Sequence, residues 1–284
     1  MKLIALALSL LASIAWAAAG TLEQTYYEPG SSRTGFSAAF QLDQFDYDEV
    51  NPQTGGPFDT ENGLIPGLRL RYEQPFAQSR FRFTGDLYGG IGTTEYNGAI
   101  QQTKTPVSGT TQDQIYDLSG TVGYDLLGRS SSTQLTAYLG LGSHIWVRDA
   151  SGVSGGYYER YLWFYLPVGA RLTQKISRRV GLVADASFRW NMGGSLHSSF
   201  IQQPIQDADG TLGMAPGARA EVSIYYLITE KLALQLSPFF EYAGIGQGNP
   251  FILVQNNGRF AGVAVEPSSH SYFYGASLGT TWGF

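Results

Sequence analysis

Ten times between residue 36 and the end of the chain, apolar and polar residues alternate with a period of two, and each time one face carries no charge. A period of two is the signature of a β-strand, whose successive side chains point to opposite sides. Leu64, Leu68, Leu70 and Tyr72 alternate with Arg69 and Arg71; Phe81, Phe83, Leu87 and Ile91 alternate with Arg80, Arg82, Asp86 and Tyr88. The apolar face excludes charge even where arginines flank it. Leu118, Val122 and Tyr124 oppose Asp117, and Leu135, Leu139, Leu141 and Ile145 oppose Tyr138, His144 and Arg148. Leu162, Phe164, Leu166 and Val168 oppose Glu159 and Arg171, and Phe188 and Trp190 oppose Asp185 and Arg189. Val222 and Ile224 stand against Arg219 and Glu221, and Leu234, Leu236 and Phe240 against Gln235 and Glu241. The first strand, 36–42, and the last, "SYFYGASLGTTWGF", complete the set. Outside the N-terminus no apolar stripe has the helical period, so the chain reads as all-β.

Charge decides which face meets which solvent. In a water-soluble β-protein the charged residues point out, and ten charge-free faces would have to share one interior. Ten strands cannot enclose that much Leu, Phe and Tyr. Turned inside out, the pattern is consistent: the charge-free face meets lipid, where a charge at the bilayer midplane costs roughly 2–4 kcal/mol. The arginines and carboxylates then meet one another in the lumen. Closing the sheet satisfies every backbone group, as hydrocarbon demands. Short connections at 74–79, 126–132, 174–179 and 227–231 alternate with long ones at 44–62, 92–112, 149–157, 191–213 and 243–269. The expected fold is a transmembrane up-and-down antiparallel β-barrel, most simply of 10 strands, with 8 or 12 as alternatives, short periplasmic turns and longer extracellular loops. Tyr72, Tyr124, Trp190, Tyr242, Tyr272 and Trp282 are expected at the interfacial girdles.

The N-terminus fits the same destination. "MKLIALALSLLASIAWAAAG" has one Lys, a short apolar run and small residues suited to cleavage, as in a secretory signal peptide. The expected organisation is a cleaved signal over 1–19 and one barrel domain over 20–284, exported to the outer membrane of a Gram-negative bacterium. The chain has no Cys, which excludes disulfides and thiolate chemistry. A net charge of −5 without a basic tract speaks against a nucleic-acid partner.

The terminal strand, with Tyr274, Ala276, Leu278, Trp282 and Phe284 on one face, resembles the C-terminal strand that Gram-negative outer-membrane proteins present to the barrel assembly machinery. Thr280 is its weak position. In strand number and loop rhythm the chain further resembles the omptins, the outer-membrane aspartyl-type proteases. "GYYERYLWFYLPVGARL", "VGLVADASFRW" and a following loop with His197 are similar to the corresponding omptin strands in character. That resemblance implies an Asp-His couple in the fourth loop and an Asp pair in the second. Here Ser195 stands two before His197, and the second loop offers only Glu95 and Asp113, widely separated. The likeness supports the architecture and not the catalytic set.

The inward candidates are Arg69, Arg71, Arg80, Arg82, Arg148, Arg171, Arg189 and Arg219 against Asp86, Asp117, Glu159, Asp185, Glu221 and Glu241. In a narrow bore these pair most simply into a network that fills the lumen, because an unpaired buried charge is costly. Open general porins need about 16 strands. Weak catalytic candidates are His197, Asp207 and Asp209, with Ser195 or Ser198 nearby, but no nucleophile frame surrounds them. No metal site or cofactor is expected. Three function classes remain open: a structural or interaction barrel whose loops bind an extracellular ligand in an adhesin-like manner, a narrow passive pore for small solutes, and a surface hydrolase of omptin type. The expected partners are outer-membrane lipid and lipopolysaccharide, the assembly machinery and a ligand the sequence does not name, with the protein a monomer.

Overall fold

The computed structural model describes residues 35–50, 57–76, 79–99, 105–127 and 133–283. Seven strands, β1 (Gly35–Val50), β2 (Pro57–Pro75), β3 (Phe81–Ala99), β4 (Pro106–Asp125), β5 (Thr133–Asp149), β6 (Tyr158–Lys175) and β7 (Val180–Ser199), follow one another, each antiparallel to the next. β7 then pairs with two consecutive pieces, β8 (Ala208–Leu212) toward its extracellular end and β9 (Ala215–Leu227) along the rest. β10 (Leu232–Ile245) pairs with β9, and β13 (Ser269–Gly283) joins β10 back to β1. With β8 and β9 sharing one wall position, the described residues form a closed antiparallel barrel of ten strands. A small hairpin, β11 (Phe251–Val254) and β12 (Phe260–Ala264), lies within the last long connection.

Turn chemistry closes the periplasmic end. Ser177 Oγ accepts from the Val180 amide, and Thr229 Oγ from the Leu232 amide, each at 3.1 Å. These short hydroxyl side chains mimic a backbone acceptor and hold the chain reversal.

The expected lipid face is the exposed face. Leu139, Leu141, Leu118 and Val168 are 66, 62, 57 and 57% exposed, and Leu64, Leu87, Phe164, Val222, Leu236 and Leu278 lie on the same outer surface. The charged residues of the opposite phase are buried or nearly so, with Arg80 at the rim an exception. Ala38, Val147 and Trp282, all of the outward phase, depart from this rule. Trp282, expected in a girdle, is only 3% exposed, because it stacks on Phe36 across the β1–β13 seam at 6.0 Å. Val147 is likewise buried. Phe284 and the expected signal at 1–19 lie outside the described residues.

The strands are longer than the sequence pattern suggests. β4 has 20 residues, about 65 Å of strand, or roughly 50 Å of height at the usual tilt, twice the ~25 Å apolar band of such barrels. Much of the expected loops at 44–62, 92–112 and 191–213 is therefore paired wall. Above Leu42, Leu64, Ile91 and Tyr116 the outward residues turn polar, so period two continues without its apolar signal. β7 also changes phase: its register with β6 shifts opposite Trp163–Tyr165, where Gly193 adopts φ +85°. A left-handed residue suits glycine and marks a bulge. Beyond it Leu196 and Ser198 point inward, each 2% exposed, and His197 points out.

Glycine also makes room inside. A Cβ on Gly142 would lie 2.2 Å from the Tyr165 ring, and one on Gly67 would lie 2.6 Å from Tyr88. Bare backbone lets these rings lie flat on the wall of a narrow bore.

Leu87 and Asp86 are neighbours on opposite sides of the wall. Leu87→Arg is expected to cost about 2–4 kcal/mol of folding into bilayers, measured by urea titration in lipid vesicles. A cost near zero would contradict a lipid-facing Leu87.

Candidate functional site

The lumen is filled in layers. At the periplasmic side, Arg82 on β3 reaches Asp125 at 3.3 Å and Glu73 at 3.5 Å, while Arg171 on β6 reaches Glu73 at 2.5 Å and Asp185 at 2.8 Å. Tyr138 donates to Asp185 at 2.6 Å. In the middle, Arg69 and Arg71 on β2 both contact Asp86 at 2.9 Å, and they cross to Glu221 on β9 at 3.3 and 3.4 Å. Arg219 joins Glu221 at 2.8 Å to Glu241 at 2.7 Å, and Arg189 continues from Glu241 at 2.5 Å to Asp117 at 3.7 Å. Each of these arginines contacts two carboxylates, and most of the carboxylates are shared, so the desolvation cost of every ion is offset by more than one partner.

Several members of this network have no place among the sequence candidates. Glu73 has the inward phase of Arg69 and Arg71 but sits beside a turn, and Asp125 falls at the start of the next turn. Arg80 is the reverse case. It is exposed at the periplasmic rim and only approaches the Leu126 carbonyl, so it stands apart from the lumen network.

Asp117, His144 and Glu241 each place one ligand atom within 4.8 Å of the others. Arg189 bridges the two carboxylates there, His144 Nδ1 donates to Asp117 at 3.2 Å, and Tyr165 donates to Asp117 at 2.7 Å. The group is thus an internal knot of the charge network, with the guanidinium as its cation.

Above the charges lies an aromatic layer. Phe45, Tyr47, Trp146, Tyr161, Trp163, Tyr165 and Phe273 are buried together with Ile65, Ile115 and Leu196. Trp146 packs on Tyr47 and Tyr161 at 4.9 and 4.8 Å, Phe45 stacks on Phe273 at 5.0 Å, and Trp163 lies on His144 at 4.2 Å. Among the described residues the lumen layers enclose small cavities of about 40, 20 and 10 Å³, each fit for a few waters at most.

Beyond the aromatic layer, above the apolar belt, is an acidic chamber. Glu61, Asp113, Thr94 and Thr111 crowd their side-chain oxygens together: Thr111 donates to Glu61 at 2.9 Å, Thr94 to Asp113 at 2.6 Å, and the two hydroxyls touch. Trp146 donates to Asp113 at 2.7 Å. Arg148 binds Glu61 and, at 2.6 Å, Glu159. Further out, Glu49, Asp59 and Glu266 face the same chamber. Burial pushes Glu61 up to about 7 against the pull of Arg148, and it pushes Glu49 up to about 8 with help from Asp59 and Glu159. Burial, with Glu159 and Glu49 nearby, also raises Glu266 well above the usual range.

The last connection caps this chamber. It is tied to the wall by Val50 N to Ser268 O at 2.8 Å and to the fourth loop by Gln206 N to Val254 O and Asn256 N to Pro204 O, at 2.8 and 3.0 Å. Phe251 packs over Gly210 on β8, and the Glu266 side chain enters the chamber.

The weak catalytic candidates do come together, on the outer surface. His197 Nδ1 lies 2.8 Å from Asp209 and its Nε2 3.9 Å from Asp207, while Ser199 donates to Asp207 at 2.7 Å. Both ring nitrogens therefore face carboxylates. Of the two serine candidates, Ser198 is buried on the other side of the wall and Ser195 shares the outer face with His197, whose ring nitrogens face the two carboxylates.

No protein-family model matches the chain, and no curated protein matches it in sequence. Among solved structures it is similar to the outer membrane protease OmpT from Escherichia coli, with a TM-score of 0.61 at 10% identity, covering 93% of this chain and 99% of that one. It also matches the outer membrane protein OprG from Pseudomonas aeruginosa (TM-score 0.42, 9% identity, 91% and 99% covered) and Neisserial surface protein A (TM-score 0.34, 11% identity, 88% and 97% covered). The fold is that of the outer-membrane β-barrels. Within that fold the closed ten-strand barrel is omptin-like in architecture.

Two outcomes follow from this barrel's interior. Arg148→Met leaves Glu61 and Glu159 buried without their cation and is expected to destabilise the barrel by about 3–5 kcal/mol, read from urea midpoints; a loss below the error of the titration would contradict the pairing. The raised carboxyls give a pH dependence of definite sign. Glu49 and Glu61 hold protons in the folded chamber that ordinary carboxyls release near 4.5. The stability they contribute is full below that value and is lost as pH rises through about 7 to 8. Hydrogen exchange in residues 246–268, corrected for intrinsic rates, is expected to show easier opening at pH 9 than at pH 5. Protection that rises with pH would contradict this.

Proposed function

We propose that this chain is a surface-recognition barrel of a Gram-negative outer membrane, exported by a cleaved signal peptide, whose extracellular platform binds a ligand. The observation that carries this reading is the filled lumen. Ion pairs and the aromatic layer occupy the space a solute path requires, which leaves the extracellular platform as the surface free to act.

That platform has the character of a docking surface. The fourth loop and the β11–β12 hairpin are bridged at Ile205 and Gln255, so the two move as one. On them Ile201, Phe260, Ile252 and Val263 are 79, 66, 64 and 62% exposed, and Ile252 and Val263 are directly paired. Exposed apolar residues set among Gln, Asn and Gly, with Arg259 beside Phe260, favour an apolar or polypeptide partner over a charged small solute. The outer belt is suited to lipid and lipopolysaccharide, and the last strand, with Tyr274, Ala276, Leu278, Trp282 and Phe284, to delivery by the barrel assembly machinery.

The protease reading gains nothing from the likeness to OmpT. The inward positions after the β7 bulge are Leu196 and Ser198, and His197 is turned outward. No Asp-His pair faces the mouth from this strand.

Planar-bilayer recording tests the proposal: the purified barrel is expected to give no single-channel steps, and reproducible steps abolished by heat denaturation would favour a pore instead. Peptides selected from a random display library on the vesicle-embedded barrel are expected to bind the Phe260→Ser, Val263→Ser variant about tenfold or more weakly. Equal binding to both forms would place recognition elsewhere.

A further inference from the structure

A small lumen cavity, about 10 Å³, lies where the charge network meets the aromatic layer and is walled by His144, Trp163, Tyr165, Arg189, Asn191 and Glu241, among others. Three of these residues bring a buried polar atom that has no partner among the protein's own groups: His144 Nε2, Arg189 Nε and Asn191 Oδ1. His144 and Asn191 are each only 4% exposed. A buried polar atom left without a hydrogen bond is costly, and three around one cavity form a defined demand.

The hydrogen-bonding character of each atom is set by its other contacts. His144 Nδ1 lies 3.2 Å from the Asp117 carboxylate, which accepts its proton, so in the neutral ring Nε2 presents a lone pair. Asn191 Nδ2 donates to the Gly244 carbonyl at 2.7 Å, which leaves Oδ1 as an acceptor; the flipped amide would set two carbonyl oxygens against each other. Arg189 Nε–H is a donor, while its Nη1 is engaged with Glu241 and Asp117. The cavity therefore offers two acceptors and one donor. Trp163 stacked on His144 and Tyr165 bonded to Asp117 hold the imidazole in this setting.

We propose that this cavity binds one water molecule, which donates to His144 Nε2 and Asn191 Oδ1 and accepts from Arg189 Nε–H. The chemistry selects water over other small occupants. Chloride would accept from Arg189 but meet two lone pairs, and ammonium would satisfy both lone pairs but oppose the guanidinium. A volume of this size holds one water, and three hydrogen bonds are the usual number for a buried one. The bound water ties β5 to β7 and completes the seal between the ion-pair layer and the aromatic layer.

A crystal structure of the folded barrel at a resolution that orders internal solvent tests this, with bromide replacing chloride in the crystals. The expected result is a solvent peak without anomalous signal, within hydrogen-bonding distance of all three atoms. Nitrogen-15 spectra of the imidazole in detergent are expected to place the proton on Nδ1. In Asn191→Leu, whose side chain removes an acceptor and fills space, the peak is expected to be lost. An anomalous bromide peak, side chains collapsed onto one another, or a proton on Nε2 would each overturn the proposal. The wild-type spectra decide it alone if the variant does not fold.

Discussion

Everything in this barrel depends on closing the backbone ladder in a medium that offers no hydrogen bonds of its own. β13 returns to β1 in unbroken register from Gly35 opposite Gly283 to Glu49 opposite Ser269, so no sheet edge is left in hydrocarbon. Closure then divides every strand by parity. One set of side chains must satisfy lipid, and the other must satisfy a bore too narrow for free solvent. The exclusion of charge from one face and its concentration on the other are two consequences of that single requirement.

Inside, the composition changes along the axis. Paired arginines and carboxylates fill the membrane-level lumen, rings close it, and above the belt the balance tips to acid, with Arg148 the chief cation among Glu49, Asp59, Glu61, Asp113, Glu159 and Glu266. The lower layers are stable because each ion has more than one partner. The upper chamber instead relies on protons to hold its carboxyls and the Glu266 cap together. Paired charge is thus densest at membrane level and gives way, toward the outside, to a cap whose opening is expected to become easier as pH rises. The filled base and the exposed apolar platform it carries are the two features on which the proposed recognition role rests.

Much of the fold was legible because lipid imposes a strong pattern. Leu64 to Tyr72 and Phe81 to Ile91 could be assigned to the outer face, and Arg69, Arg71, Arg82 and Asp86 to the lumen, from parity alone. Legibility fails where that pattern stops. Above the belt both faces are polar, so Glu61, Thr94, Thr111 and Asp113 looked like loop residues although they sit on wall strands. Glu73 and Asp125 were hidden beside turns, and Arg80, one residue outside its strand, looked inward by parity yet reaches the rim. The bulge at Gly193 left no trace in a count of alternation, and it alone decides that His197 faces outward. Trp282 had the parity of a girdle residue but found an aromatic neighbour across the seam, a contact between residues at opposite ends of the chain.

The assignment of faces is most directly tested by spin labelling, which the absence of cysteine makes simple, since any introduced Cys is unique. On β4, Leu118 and Val122 are on the outer face, while Ser119 and Thr121 belong to the inner one. Labels at these four positions in the vesicle-embedded barrel would be read by collision with dissolved oxygen, which concentrates in hydrocarbon, and with a water-soluble nickel chelate. A lipid-facing even phase predicts high oxygen accessibility at 118 and 122 and low accessibility to both reagents at 119 and 121. Oxygen accessibility greater at 119 and 121, or equal at all four, would contradict it.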